Sequence, residues 1–235
     1  MDFYVDENWI LQPLGLTVLR DSKIPILPPV EEYTEQIPGR PGAYSFGCDL
    51  APYPVELHCI AKVSRAEWPA KQLEIASALN PLKGEYTLGF ADFPEQVLYV
   101  ESIGDIVPTN YVDGREFWII FKNNQAIKLS SAENTLTGSG LAANNGNNET
   151  PCVVEIVGLV TNPSVVINGE TMTYTGTVTA SDKLVIDTER MTVTFNGANA
   201  MANYNKVFPK LAVGDNVVTA ASGGTTIVRW LNRWF

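Results

Sequence analysis

Histidine is almost absent from this sequence, since His58 is the only one among 235 residues. A zinc hydrolase needs a cluster of ligands such as HExxH, and one histidine cannot supply it. The sequence also lacks the GxSxG nucleophile elbow, the P-loop and the GxGxxG fingerprint of dinucleotide-binding proteins. These absences predict that the chain is not an enzyme, with no catalytic residue, no metal ligand and no cofactor-binding residue.

Basic residues are scarce as well. The chain has 16 lysines and arginines against 26 acidic residues, and it has no basic run. Proteins that bind nucleic acids or anionic membranes usually carry a basic patch, so we expect no sequence-specific nucleic-acid binding. No apolar run approaches the roughly 18 residues of a membrane span, and residues 1–12 lack the basic start of a secretory signal. We therefore expect no membrane insertion.

Cysteine is rare, and its spacing forms no metal motif. Cys48, Cys59 and Cys152 are an odd set without a CxxC pair, which favours free thiols in a reducing compartment. One alternative stays open, because Cys48 and Cys59 lie on neighbouring apolar segments and could meet. His58 precedes Cys59 in an alternating strand pattern, so the two side chains diverge and a Cys-His dyad is geometrically poor. We interpret His58 as a structural or surface residue.

Most of the sequence has the short alternating pattern of β-strands, and the predicted fold class is mainly β. The clearest strands of the first half are 53–63, 96–103 and 115–122. Residues 65–80 have a helix pattern instead. Ser64 and Glu67 can form a capping box there, and Pro69 suits the first turn. The apolar positions of this helix are Leu73, Ile75, Ala76 and Leu79.

The second half is rich in Thr, Val, Asn and Gly, with regular turn signals. Asn168-Gly169 and Asn196-Gly197 predict type I′ hairpins, and several short strands at such spacings predict a β-sandwich. The expected core residues are Val154, Ile156, Val166, Ile186, Val193 and Phe195. Residues 138–149 (GSGLAANNGNNE) predict a linker or exposed loop. We therefore expect two domains, 1–133 and 134–235.

Residues 21–43 predict a proline-rich arm. This segment holds five prolines, which are excluded from the interior of a sheet and favour an extended course. Its apolar residues need burial, either on its own domain or on a neighbouring subunit. Gly39 and Gly42 would allow the chain to turn back. The candidate subunit-interface residues are Ile24, Ile26, Leu27, Val30, Tyr33, Ile37 and Arg40.

Three motifs in this order carry a resemblance that spans nearly the whole chain. The first is IPGRPGAY (37–44), which precedes a strand. The second is the helix followed by Leu88, Phe90, Asp92 and Pro94. The third is LVID and VTFNG, within residues 184–197, followed by FPKLAVGDN (208–216). In this arrangement the sequence resembles the distal tail protein family of siphophages, the siphovirus-type tail components.

The resemblance implies an N-terminal β-sandwich with one α-helix and a C-terminal galectin-like β-sandwich. It also implies a hexameric ring at the tail tip of the virion, made in the host cytoplasm. The ring would join the tail tube protein to a tail-tip, baseplate hub or tail-associated protein, with the tape measure protein as a further partner. It would leave a channel for DNA. Residues 1–133 carry 19 acids and 10 bases, and such a surface would repel passing DNA if it lined that channel.

An alternative function is binding of host-surface carbohydrate by the second half. Galectin-type sugar sites use histidine beside Asn, Arg and Trp on adjacent strands, and residues 134–235 contain no histidine. This weakens the alternative without excluding a different kind of sugar site.

Overall fold

The computed structural model describes residues 3–5, 8–9, 14–111 and 114–235, with the backbone alone described at 8 and 9. The described chain is mainly β, which confirms the predicted fold class. It divides into two compact units, residues 1–128 with Phe235 and residues 129–234. The sequence predicted a boundary slightly later, after residue 133, and separate folding of the two halves stays a prediction.

The first unit is built on a curled antiparallel sheet. Its strands are β1 (Phe3–Val5), β2 (Asn8–Trp9), β3 (Leu16–Val18), β4 (Val30–Glu35), β5 (Tyr44–Leu50), β6 (Tyr53–Ala61), β7 (Glu85–Phe90), β8 (Phe93–Ile103), β9 (Thr109–Tyr111) and β10 (Gly114–Asn123). The sheet order is β2-β1-β7-β8-β10-β6-β3, and β9 pairs with β10. Nine residue pairs join β6 to β10, where Phe117 lies opposite Cys59. The inward side chains of β1, β3, β6, β7, β8 and β10 form one apolar core, whereas β4, β5 and β9 lie outside it.

The helix α1 covers Trp68–Ala78 and is shorter than the predicted 65–80. The capping-box contacts form in the turn before it, where the backbone N and Oγ of Ser64 donate to the Glu67 carboxylate at 3.1 and 2.7 Å. A proline occupies the first turn of the helix, as predicted. A short 3₁₀ helix, Pro81–Lys83, follows. In the described part of the chain, no helix has the length and apolarity to cross a membrane.

The predicted apolar stripe of α1 is partly wrong. Ile75 and Leu79 are buried in the core, whereas Leu73 is 72% exposed and Ala76 is exposed as well. Residues two apart on a helix lie on different sides of it, so Leu73 cannot share the face of Ile75. The outer side of α1 therefore carries apolar surface that the first unit does not cover.

The second unit contains two packed antiparallel sheets. Its strands are β12 (Asn134–Thr137), β13 (Gly140–Asn144), β14 (Val153–Val157), β15 (Val160–Thr161), β16 (Ser164–Ile167), β17 (Glu170–Thr173), β18 (Thr177–Val178), β19 (Lys183–Asp187), β20 (Thr192–Phe195), β21 (Ala198–Asn199), β22 (Gly214–Thr219), β23 (Thr225–Trp230) and β24 (Arg233–Trp234), while β11 (Lys128–Ser130) spans the unit boundary. One sheet has the order β12-β23-β14-β19-β20-β21 and the other β13-β22-β16-β17. A short 3₁₀ helix, Met201–Asn203, follows β21. Side chains from both sheets share one core, as in the predicted β-sandwich.

Both predicted Asn-Gly hairpins form. Asn168 and Asn196 have φ values of 49° and 50°, and the glycine after each is also left-handed. Five of the six predicted core residues pack in the core, Phe195 only partly. Val166 is the exception, because the core takes its neighbours Val165 and Ile167. This strand is apolar on both faces, so alternation alone does not choose between them.

The prediction of a linker or exposed loop over 138–149 is wrong. Residues 140–144 form β13, which pairs along its length with β22. The Asn144 side chain donates to the carbonyl of Asn148 at 2.8 Å and accepts from the Gly146 amide at 3.0 Å, which organises the turn after the strand. A Cβ at Gly146 would lie 2.1 Å from the carbonyl oxygen of Arg233. The small and amide residues allow close backbone packing here.

Glu155 is a buried carboxylate between two cations on the neighbouring strands. It contacts Lys183 at 2.8 Å and Arg229 at 2.6 Å, at diagonal positions of the sheet. Burial alone would raise the pKa of Glu155, but hydrogen bonds and charges from Lys183 and Arg229 outweigh burial and hold that pKa below its ordinary value. The contact therefore stabilises the folded state when the carboxylate is ionised.

We expect Glu155→Gln to lower the free energy of unfolding by about 1–3 kcal/mol near neutral pH. A lowered folded pKa gives stability that is complete above the ordinary glutamate pKa and is lost as the pH falls through the folded value. The difference from wild type should therefore shrink below about pH 4 in urea titrations. Glu170→Gln, an exposed site, serves as the matched control. A difference that stays constant with pH would contradict this account.

Candidate subunit interface

A two-stranded hairpin stands apart from the sheet of the first unit. Within the described residues, β4 and β5 pair only with each other, and every residue of both strands is exposed. We call residues 24–50 the hairpin arm. The predicted proline-rich arm over 21–43 is thus wrong in its conformation, because residues 30–35 pair as a strand. The five prolines lie outside the two strands and leave the ladder of β4 intact.

The structure places most of the predicted interface residues on this hairpin arm with their side chains in solvent. Ile26 is 85% and Leu27 66% exposed, and the exposed set also includes Val30, Tyr33, Ile37 and Arg40. Ile24 differs, because it is half-buried against the core of its own unit. Exposed apolar side chains that cluster on one segment mark a surface that associates with another one.

Sequence reasoning missed the apolar residues of β5. Tyr44, Phe46 and Leu50 are exposed beside the predicted set, and Phe46 is 69% exposed. The predicted arm ended at residue 43, although the alternation of Tyr44 and Phe46 indicated a strand with one apolar face. Including β5 extends the apolar surface to both strands of the arm.

The turn of the arm lies between its strands. Gly39 and Gly42 have φ values of 84° and 89°, which most side chains avoid. The Arg40 amide donates to the Ile37 carbonyl at 3.1 Å, and the Arg40 guanidinium lies 4.7 Å from the centroid of the Tyr44 ring. The reversal predicted at the two glycines occurs, and it presents Ile37 and Arg40 at the tip.

The root of the arm is fixed to β6. The backbone groups of Lys23 and Glu56 exchange two hydrogen bonds, at 2.7 and 3.0 Å, and their side chains form an ion pair at 2.7 Å. The Ser22 hydroxyl accepts from the His58 amide at 2.9 Å. The attachment therefore holds the base of the arm while the strands beyond it extend from the body.

His58 belongs to this attachment. Its Nδ1 lies 2.7 Å from the Asp21 carboxylate, its Nε2 lies 2.8 Å from that of Glu116, and its ring stacks on Trp118 with centroids 4.3 Å apart. Both ring nitrogens are therefore occupied by carboxylates, and neither is free to act on a substrate. The structural role predicted for His58 agrees with this arrangement, although the sequence did not indicate its partners.

The three cysteines occupy different environments. Cys48 is exposed on β5, whereas Cys59 and Cys152 are buried, and all three are free thiols. Burial raises the pKa of both buried thiols to about 12. Cys48 is thus the reactive thiol of the chain, and it lies on the arm.

The sequence and the fold both match known phage tail proteins. Residues 11–122 match the phage tail protein RIFT-related domain, and residues 145–234 match the C-terminal domain of the siphovirus-type tail component. No curated protein sequence matches the chain significantly.

Solved structures show the same fold over the whole chain. The SPP1 Dit protein, presented as a paradigm of the hub adsorption apparatus in phages that infect Gram-positive bacteria, matches with a TM-score of 0.79 and 13% identity, over 100% of this chain and 99% of that one. A chain of the phage P2 baseplate, in its activated conformation with Ca, matches with a TM-score of 0.50 and 9% identity, over 98% and 97% of the two chains. The two matched domains occur in the predicted order and together take in most of the sequence. The chain belongs to the siphovirus-type tail component family, the distal tail proteins of siphophages.

Proposed function

We propose that this chain is a structural hub of the tail tip in which six copies form a ring. The ring joins the tail tube protein on one side to baseplate or tail-associated proteins on the other, and the tape measure protein and DNA use its channel. Membership of the tail component family and the hub role stated for the SPP1 Dit protein support this proposal. The single observation that carries the ring is the hairpin arm, because no described residue of the same chain covers its apolar surface.

The arm is the part of each subunit that would hold the ring together. Burial of an apolar side chain stabilises a contact by about 1.5–3 kcal/mol, so a few such residues of one arm would stabilise each junction substantially. The attached root fixes the direction of the arm, which limits the entropy lost when the arm binds a neighbour. A ring is the arrangement in which every arm finds the same surface on the next copy.

The proposed hub role needs no catalytic step.

The net negative charge of residues 1–133 suits a channel wall that DNA passes without binding, because like charges repel. A neutral or basic channel wall in a structure of the ring would contradict this part of the proposal.

Cys48 gives a direct test of whether the arm is covered in the assembled protein. In a dispersed subunit, one thiol per chain should react with a maleimide near neutral pH, because the other two are buried with raised pKa values. In the assembled ring we expect the reaction of Cys48 to slow at least about tenfold.

Mass spectrometry of the labelled peptides identifies the thiol, and Cys48→Ser is the control that should remove the fast reaction. Equal rates of labelling in the ring and in the dispersed subunit would show that this side of the arm stays in solvent, against the proposal.

A further inference from the structure

A basic groove lies on the first unit of this acidic protein. It has a volume of about 990 Å³ and is lined by the segment 62–65, by Trp68 at the start of α1, and by residues of β9 and β10. Lys62, Arg65 and Arg115 contribute three cations to its wall. Lys62 and Arg65 are exposed, and Arg115 is half-buried with its guanidinium 5.7 Å from the ring centroid of Trp68.

None of these three cations pairs with a carboxylate among the described residues. The contacts of Arg115 are the carbonyl of Gly114, at 2.9 Å, and the Trp68 ring. Two carboxylates on the adjoining segments are already engaged, since Glu67 accepts from Ser64 and Glu116 accepts from His58. Three cations that line one groove without a carboxylate partner among the described residues favour an anionic partner, in a chain whose net charge is −10.

The hairpin arm carries acidic residues that have no cation partner among the described residues. Glu31 on β4 lies directly opposite Asp49 on β5, and like charges at such positions destabilise a sheet. Tyr33 donates to the Asp49 carboxylate at 3.1 Å, and no cation among the described residues pairs with Glu31 or Asp49. The hydrogen bond to Asp49 and then the charges of Asp49 and Glu31 raise the pKa of Tyr33. One face of the arm is therefore acidic, and the described part of the chain supplies no cation to it.

We infer that the basic groove receives the acidic face of the hairpin arm from a neighbouring copy of this chain, an inference that rests on the ring proposed above. Lys62 and Arg65 then supply the cations that Glu31 and Asp49 lack. Trp68 also lines a small apolar notch of about 110 Å³ with Ile75 and Ile106, so this notch and the groove share the Trp68 side chain. The basic groove is then the binding site for the arm of the neighbouring copy.

Charge exchange between the two surfaces tests the pairing. The groove variant carries Lys62→Glu and Arg65→Glu, and the arm variant carries Glu31→Lys and Asp49→Lys. All four residues are exposed, so each variant should keep the wild-type circular dichroism spectrum. In a ring of either variant alone, like charges then face each other across each junction. We expect the protein concentration at which half of the chains are in rings, measured by mass photometry, to rise about 100-fold.

The mixture of the two variants gives the sharper result. In a ring in which the two variants alternate, each arm with reversed charges meets a groove with reversed charges. Each wild-type arm likewise meets a wild-type groove, so mixing should restore the ring. One chain that carries all four changes should restore it as well. Arg190→Glu with Lys206→Glu, which changes the net charge of the chain equally at exposed sites of the second unit, should leave assembly as in wild type. High salt should weaken the wild-type ring.

The outcomes separate this inference from the proposed function. A wild-type ring that persists in the groove variant overturns the inference and leaves the ring intact. Loss of the ring in each variant without rescue by mixing also overturns it, because the two surfaces then do not meet. Weaker binding of single-stranded DNA by the groove variant, with an unchanged ring, would assign the groove to phosphate instead. A wild-type chain that forms no ring overturns the proposed function itself.

Discussion

Replacing Ile26, Leu27 and Phe46 together with serine is expected to abolish ring assembly while each subunit stays folded. These side chains are 66–85% exposed in the single chain, so their loss should change the free energy of unfolding little. In a ring each would be buried against the next copy at about 1.5–3 kcal/mol, and removal of all three should shift assembly by several orders of magnitude.

Mass photometry measures this loss, and circular dichroism reports the fold. Ile24 is left unchanged because it packs on the core of its own unit, and its replacement would mix folding with assembly. A control with Leu159, Met191 and Val213 changed to serine removes three apolar residues of the second unit that are also more than half exposed. A ring that survives the arm variant would show that the arm does not hold the subunits together.

Asn216→Leu is expected to destabilise the second unit by about 3 kcal/mol or more. Asn216 is fully buried, and its amide group donates to the carbonyls of Ala142 and Ala212 at 3.1 and 2.9 Å. Its carbonyl accepts from the Ala212 amide at 2.8 Å and from the side chain of Asn168 at 2.6 Å. Leucine has the same branching but no polar atoms, so it leaves these groups without partners in a buried site.

Urea unfolding followed by tryptophan fluorescence measures the effect, since Trp230 is buried in the same core. Asn145→Leu makes the same chemical change at an exposed position and should alter stability by less than about 0.5 kcal/mol. A similar, small effect for both variants would show that the buried amide is replaceable and that the hydrogen bonds of Asn216 do not stabilise the second unit.

The hydrogen bonds of Asn216 also connect two of the sequence motifs described above. The Asn-Gly hairpin at 168–169 and the final asparagine of FPKLAVGDN meet in space, where the Asn168 side chain also accepts from the Val217 amide at 3.0 Å. Each motif has a local turn signal that the sequence displays. Their contact is tertiary, and neither spacing nor composition predicts it.

Local signals predicted the hairpins and the β-strands of both halves, because turn chemistry and alternation act within a few residues. They failed where packing between distant segments decides the structure. The strand at 140–144 looks like a loop by composition, yet β22 supplies its partner. Leu73 looks like a core residue of a helix, yet the core of the unit does not reach it.

The candidate interface was predictable in part for the same reason. An apolar, proline-rich segment that needs burial is visible in the sequence, but the pairing of β4 with β5 depends on residues beyond the predicted arm. The unpaired cations of the groove come from 62–65 and from Arg115, which lie far apart in the chain. Single cations in an acidic sequence give no signal of such a site.

The oligomeric state of the wild-type chain tests the central claim most directly. Mass photometry, with negative-stain microscopy of the same sample, should show a closed ring of six copies with a central channel. We predict that this ring forms from the purified chain and disperses when the apolar residues of the arm are changed. A chain that stays monomeric at micromolar concentration, with Cys48 fully reactive, would contradict it.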